Sequence, residues 1–310
     1  MKISIIGAGN VGSLTALRLA HDQIGEILLA DVVKGMAQGK SLDMEDARAL
    51  LKNNYNISGT DDIAQIKKSD IIVVTAGLAR KPGMTREELL AKNAAILKDI
   101  CLKIKELSPD AIVIIVTNPL DLMTYLALKV TGFKPSRLFG MGITLDAARF
   151  ANLVSKELQV AVTDINACVI GSHGEGMLPL ARFTIVKGVA LDKLLDEAKV
   201  EALVKKTVLR GLEIVTLLGS GSAYFAPSAA VAQIVNCIAR NELKTLGVSA
   251  CLNGEYGEKD VCLGVPCRIG TNGIEDIVEL ELDDKEQRRF AASAESSRQL
   301  LKTIISVNNV

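Results

Sequence analysis

Nothing in this chain is arranged for nucleic acid. Its 36 basic and 36 acidic residues cancel, no basic block is present, and aromatics make up only 3% of the residues. Neither a phosphate-tracking stripe nor aromatic and basic residues in alternation can therefore be assembled, and a nucleic-acid partner is not expected. Long apolar runs are also missing. Those present, such as Ala111 to Val116, are strand-length and far short of the ~20 residues that span a membrane. The first strand begins at residue 2, which leaves no room for a signal or transit peptide, so the expected location is the cytoplasm. His21 and His173 stand far apart and outside any metal-ligand spacing, and no metal is expected. The six cysteines, at 101, 168, 237, 251, 262 and 267, contain no Cys-x-x-Cys pair and lie mostly in apolar stretches. They are expected as buried, reduced thiols.

What is present begins at the first residues. An apolar run, Ile3 to Ile6, stops at Gly7, and Gly7, Gly9 and Gly12 fall in the G-x-G-x-x-G spacing with Asn10 and Val11 between them. This reads as strand, tight turn and helix, with Leu14, Leu17 and Leu19 expected on the helix face that packs on the sheet. Gly7 allows the turn, Gly9 lets the backbone approach a pyrophosphate, and Gly12 lets the helix pack closely. The helix N-terminus offers unpaired N–H groups and the positive end of its dipole to that pyrophosphate. Asp31 ends a second apolar run, Ile27 to Ala30. It stands about 20 residues beyond the glycines, where an acid hydrogen-bonds the adenosine ribose. A carboxylate there repels a 2′-phosphate, so NAD is expected over NADP.

The rest of the first half continues the alternation. A helix over Lys34 to Lys52, a short strand near Asn56 to Gly59 and a fully apolar strand, Ile71 to Thr75, precede a polar loop from 77 to 86 carrying Pro82 and Gly83. A helix from Glu87 to Leu107, a strand over Ala111 to Val116 and a further helix from Leu120 follow. Alternation of this kind predicts a Rossmann-type doubly wound parallel sheet, with ligands at the carboxyl ends of its strands. Gly7, Asp31, the 77 to 86 loop and Asn118 belong to those ends and are expected to share one crevice.

At 310 residues two domains are expected. They are a dinucleotide-binding domain over 1 to 142 and an α+β domain over 143 to 310. In the second, helices are predicted over Leu145 to Leu158, Val200 to Leu217, Ser228 to Ala239 and Asp283 to Ile305. A strand is predicted over Asp164 to Ile170 and hairpins between Gly247 and Leu280, with turns at Asn253-Gly254 and Asn272-Gly273.

His173 is the leading chemical candidate, because it stands between Ser172 and Gly174 just past an apolar strand and is presented on a turn. A lone histidine can equally be structural. Asp146 and Arg149, three apart on one predicted helix, point to the same side, so one can orient a histidine while the other grips a carboxylate. Arg80 and Arg86 bracket the Pro-Gly loop, either as solvated charges or as carboxylate-binding forks on a lid. His21 reads as a helix-terminal surface residue.

Five ordered motifs carry a resemblance: Gly-Ala-Gly-Asn-Val-Gly at 7 to 12, Ala-Arg-Lys-Pro-Gly-Met-Thr-Arg at 79 to 86, Thr-Asn-Pro-Leu-Asp at 117 to 121, Leu-Asp-Ala-Ala-Arg-Phe at 145 to 150 and Gly-Ser-His-Gly-Glu at 171 to 175. With them the chain resembles, over nearly its whole length, the lactate and malate dehydrogenase family. It looks most like the lactate-dehydrogenase-like branch of the malate enzymes. The resemblance implies reversible, NAD-dependent oxidation of (S)-malate to oxaloacetate by a homo-dimer or homo-tetramer, with the 34 to 52 helix in the interface. It implies His173 as proton donor and acceptor, Asp146 as its orienting partner and Arg149 on the C1 carboxylate. Arg86 would polarise the reacting carbonyl, Asn118 would bond the same oxygen, and Arg80 would pair with the second carboxylate. Around the cofactor it places Thr75, Ala76, Gly77, Asn93, Val116 and Asn118 beside the glycines and Asp31. Two positions depart from the family pattern. Glu175 stands where an aspartate is common and Ala151 where a basic residue is frequent, and neither belongs to the proton relay. A lactate or other 2-hydroxy-acid dehydrogenase, and an NAD-binding protein without catalysis, are the competing readings.

Overall fold

The parallel strands are Val- and Ile-rich, and their two faces are buried in two different cores. In β1 (Lys2–Ile6), followed by α1 (Asn10–His21), β2 (Glu26–Ala30), α2 (Met36–Leu51), β3 (Asn56–Thr60), β4 (Ile71–Val74), α3 (Arg86–Leu107), β5 (Ile112–Ile115), α4 (Leu120–Thr131) and β6 (Leu138–Gly140), strands and helices alternate as the sequence predicts. Ile3, Ile5, Ile27, Leu29, Val73 and Ile114 enter one core with Ala16, Leu19 and Ala20 of α1. The intervening Leu28, Ile72, Val74, Val113 and Ile115 enter another with Ala94, Leu97 and Ile104 of α3 and with α4. Period-2 side-chain alternation thus feeds both faces, which is why no polar face interrupts these runs.

This computed structural model describes the backbone of residues 1–78 and 86–308 and the side chains of residues 1–78 and 88–302. The strands run in the order β3-β2-β1-β4-β5-β6, and every neighbouring pair among them is parallel. The chain then continues through α5 (Thr144–Leu158), β7 (Ile165–Asn166), β8 (Val169–Gly171), β9 (Met177–Pro179), β10 (Ile185–Val186), β11 (Val189–Ala190), α6 (Glu197–Leu218), α7 (Phe225–Ala239), β12 (Lys244–Asn253), β13 (Lys259–Gly270), β14 (Gly273–Ile277) and α8 (Asp284–Asn308). β12 pairs antiparallel with β6 through Ser249 and Gly140, so the second half extends the sheet of the first instead of building a separate one. β13, β8 and β9 follow outward, and β7, β10 and β11 form a small sheet of their own.

Two expectations are corrected. The strand predicted over Asp164 to Ile170 is two strands in two sheets: β7 pairs β10, while β8 pairs β9 and β13. The break falls at Ala167 and Cys168, where the Cys168 N–H is taken by the Thr184 hydroxyl at 3.1 Å and leaves the ladder. On α1 the buried stripe is Gly12, Thr15, Ala16, Leu19 and Ala20. Leu17, half-buried, packs against the same core as expected, whereas Leu14 is half-buried and does not, because the small residues bring the helix closer to the strands along the Gly12 to Leu19 stripe. No helix among the described residues is long and apolar enough to cross a membrane.

Candidate active site

The turn after β1 is shaped by the absence of side chains. Gly7 has φ +110°, and a Cβ there would sit 2.7 Å from both the Ala76 nitrogen and the Thr75 hydroxyl. A Cβ on Gly12 would land on the Gly7 carbonyl oxygen and 2.8 Å from the Thr75 hydroxyl. Gly12→Ala must therefore push α1 off β1, an overpacking cost at or above the usual ~1–3 kcal/mol. The expected result is a lower urea midpoint together with weaker NAD binding; a variant with unchanged midpoint and affinity would show that the close contact is dispensable.

Gly9 differs from its neighbours: a Cβ there meets nothing within 4 Å among the described residues. No side chain caps the first turn of α1, and no acidic residue lies within it. Its N–H groups, from Asn10 and Val11 onward, remain available to an anion. Asp31 is fixed at the end of β2 by the N–H groups of Ala8 at 2.6 Å and Val33 at 2.9 Å. Lys40 of α2 donates to the Ala8 carbonyl at 2.6 Å, a brace that sequence reading missed. These features fit a dinucleotide: the backbone at Gly9 and the first turn of α1 would hold its pyrophosphate, and Asp31 would hold a ribose.

On the next strand ends, Thr75 donates to the Gly7 carbonyl at 3.0 Å and Ala76 is half-buried beside it. A Cβ on Gly77 would meet the Thr117 methyl at 2.8 Å, so the chain passes close to the end of β5, where Val116 is half-buried and Asn118 exposed. Asn93 is 3% exposed. Its carboxamide accepts from the Leu78 N–H at 2.8 Å and donates to the Asn118 carbonyl at 3.1 Å, so it ties together the two loops that border the crevice. Arg80, and the side chain of Arg86 at the start of α3, lie outside the described residues.

The second half supplies the titratable centre. β8 and β9 form a hairpin, and His173 stands in its turn, where Gly171 and Gly174 take φ of +89° and +105°. The imidazole Nδ1 lies 2.7 Å from Oδ2 of Asp146, in the first turn of α5. Asp146 is 0% exposed, so its carboxylate is desolvated except where the protein bonds it. As a carboxylate it accepts the Nδ1 proton, which leaves Nε2 as the nitrogen free to exchange one. Arg149 donates from Nη1 to the other Asp146 oxygen at 3.2 Å, and its buried Nε has no partner among the described residues. Glu175 is exposed and Ala151 buried, and neither makes a described bond to His173, Asp146 or Arg149.

A second carboxylate went unnoticed in the sequence. Asp121 of α4 accepts the His173 backbone N–H at 2.8 Å and the Ser249 hydroxyl at 2.5 Å. On the other side of the turn, the Ser293 hydroxyl of α8 accepts the Ser172 N–H at 3.0 Å. The turn is thus held from α4, β12 and α8 at once. An acid inside the apolar run Leu120 to Leu122 was the available signal, since such a group must find partners when buried. Burial raises Asp121 to about 6 despite its bonds to Ser249 and His173. For His173, burial pulls the imidazole pKa down, but the Asp146 carboxylate and the charge of Asp121 outweigh it, and His173 sits above its ordinary value.

Comparison with known proteins agrees with this geometry. Residues 1–140 match the NAD-binding domain of lactate/malate dehydrogenase, and residues 143–308 match the α/β C-terminal domain of the same family. The chain is 47% identical over 298 residues to a malate dehydrogenase of Methanosarcina mazei, covering 96% of this chain and 97% of the relative. The solved malate dehydrogenase of Salinibacter ruber superposes with a TM-score of 0.95 at 37% identity, over 100% of this chain and 99% of that one. A lactate dehydrogenase of Cryptosporidium parvum, solved with lactic acid and NAD, gives 0.94 at 33% identity, over 100% and 98%. With family matches over both halves and a relative 47% identical over nearly the whole length, the chain belongs to the lactate/malate dehydrogenase family. It is an NAD-dependent oxidoreductase.

Proposed function

We propose that the protein catalyses the reversible NAD-dependent oxidation of (S)-malate to oxaloacetate, with His173 exchanging the proton. The observation that carries the mechanism is the desolvated Asp146 carboxylate shared between the His173 ring and the Arg149 guanidinium. NAD, when bound, accepts a hydride from the substrate carbon. In that direction neutral His173 takes the hydroxyl proton on Nε2, and Asp146 stabilises the imidazolium that forms. Arg149, with donors left over, grips the C1 carboxylate as a fork. Arg86 and Asn118 attend the reacting oxygen, where charge that grows in the transition state rewards a nearby cation. Arg80 pairs with the second carboxylate.

The malate reading is supported by relatives of that name and by Arg80 in the loop motif. The lactate dehydrogenase neighbour is nearly as alike in fold, so the fold by itself does not choose a substrate. NADH absorbance followed with oxaloacetate, pyruvate and buffer alone does: oxidation with oxaloacetate supports the proposal, and faster oxidation with pyruvate would replace it with a lactate-type enzyme. No oxidation with either substrate leaves a non-catalytic NAD-binding protein.

A pH profile tests the dyad. Oxidation needs His173 neutral and therefore falls as pH drops below its raised pKa; reduction needs it protonated and falls as pH rises past the same point. Asp146→Asn removes the larger of the upward influences on His173. Both limbs are expected to move to lower pH, with kcat reduced by about 10²–10⁴-fold. Limbs that stay in place would detach Asp146 from the titration.

We further propose the division at residues 142 and 143, an NAD-binding part followed by a substrate-binding and catalytic part that carries Asp146, Arg149 and His173, with Arg80, Arg86 and Asn118 reaching the substrate from the first; the two family matches and the run of α5 after β6 support it. A homo-oligomer is supported by apolar side chains left exposed on α2 and α6, among them Leu42, Leu50, Leu212 and Leu217. Light scattering that reports a monomer would remove that part. The cytoplasm is the compartment proposed, since six unbridged cysteines suit a reducing environment; fractionation tests it, and recovery outside the cytoplasm would refute it.

A further inference from the structure

We propose that Cys251 and Cys262 form a dithiol that peroxide oxidises to a disulfide, with Cys251 as the attacking sulfur and Cys262 as the resolving one. The two are direct partners in the antiparallel β12 and β13 ladder. Such partners hold their Cα atoms about 4.5 or 5.5 Å apart, depending on whether the pair exchanges hydrogen bonds, and both values fall within the ~4.4–6.8 Å that a disulfide spans. Opposite residues send their side chains to the same face, here the core beneath α4 and α8 that contains Leu126 and Leu301. Because the two residues are direct Cα partners on the same face, no backbone rearrangement is needed to bring the reacting atoms together.

The two thiols are otherwise unlike. Cys262 is 1% exposed, whereas Cys251 is half-buried. The neighbouring Cys262 thiol favours a thiolate on Cys251 and lowers it below the ordinary thiol range, against the opposing effect of burial. The Lys129 ammonium acts in the same direction, while Asp260 and Glu255 oppose it. Lys129 is held on α4 over the ring of Tyr125, 5.0 Å from its centre. Burial pushes Cys262 well above that range, so it stays protonated until an electrophile forms beside it. Cys168 provides an internal comparison: it too is half-buried and unbridged, but burial drives its thiol up to about 12.

The chemistry balances with one molecule of hydrogen peroxide. The Cys251 thiolate attacks one peroxide oxygen, the S–O bond forms as the O–O bond breaks, and the departing hydroxide takes a proton to become water. The Cys262 sulfur then attacks the sulfenic sulfur; the S–S bond forms, the S–O bond breaks, and the leaving hydroxide takes the Cys262 proton as a second water. Two thiols are oxidised by two electrons, and peroxide is reduced to two waters.

The experiment uses the full-length reduced protein, a stoichiometric dose of hydrogen peroxide, alkylation of the remaining thiols and tryptic mass spectrometry. The expected product joins residues 245–259 to 260–268, two hydrogens lighter than the sum of the two peptides with Cys267 alkylated and Cys251 and Cys262 free; fragment ions place the link on Cys262, and dithiothreitol reverses it. Without peroxide, iodoacetamide should label Cys251 at least ~10-fold faster than Cys168, because the thiolate is the nucleophile. In Cys262→Ser the sulfenic acid of Cys251 should persist and be trapped by dimedone, and in Cys251→Ser residue 262 should stay reduced. The wild-type cross-link and the labelling ratio do not depend on how the variants fold. Oxidation or labelling of Cys168 ahead of Cys251, or a folded wild-type protein that leaves the pair unlinked while other thiols oxidise, would overturn the proposal.

Discussion

His173→Asn is expected to lower kcat by about 10²–10⁴-fold in both directions while NADH still binds. The amide matches the imidazole in hydrogen-bonding reach toward Asp146 but cannot carry a proton between pH 5 and 9. The turn that presents it should survive, because it is held by its backbone: Asp121 accepts the residue's own N–H, and Ser293 accepts the N–H of Ser172. The cofactor crevice should survive too, since Gly7, Gly12 and Asp31 make their contacts within the first half of the chain. NADH fluorescence titration alongside steady-state kinetics separates the two effects. Equal loss of binding and turnover would mean that the ring is structural and that the proton has another route.

Arg80→Gln is expected to change the ratio of kcat/KM for oxaloacetate over pyruvate by at least ~10²-fold, because a site that loses its partner for a desolvated charge discriminates far more than one that loses a methylene. Oxaloacetate's second carboxylate would enter without a cation, whereas pyruvate, which has no such group, would be relieved of an unmatched guanidinium. The change should appear mostly as lost activity on oxaloacetate, with NADH binding untouched. Stopped-flow or steady-state assays with both keto acids measure it. A ratio that moves only a few-fold would assign the second carboxylate to another residue.

The cofactor half was legible because its signals are local. Gly7, Gly9 and Gly12 lie within six residues, and the conformations that require them are set by their own turn. The strands announced themselves through unbroken apolar runs, and the structure places them in the parallel order that such runs demand. His173 was legible as a residue presented on a turn, and the spacing of Asp146 and Arg149 already placed both on one face of α5. The supporting layer was not readable in the same way. Asp121 reaches His173 across 52 positions and Ser249 across 128, and Ser293 reaches Ser172 across 121. Hydrogen bonds of that separation leave no periodicity in the chain. The resemblance places Asn93 beside the cofactor; that its carboxamide also fastens Leu78 to Asn118 depends on where α3 comes to lie against the ends of β4 and β5.

Backbone conformation and face periodicity therefore belonged to the sequence by itself: where the chain turns, which runs are strands, and which residue types stand ready at the strand ends. Tertiary structure alone decided the proton affinity and aim of the histidine. Whether Asp146 is stripped of water, whether a second acid lies close enough to raise the ring's proton affinity, and whether β12 continues the first half's sheet to bring Ser249 against Asp121 are facts of three-dimensional packing. The reason is physical: steric preferences act between neighbours along the chain, whereas desolvation and charge coupling act through space and have no value until distant segments have met.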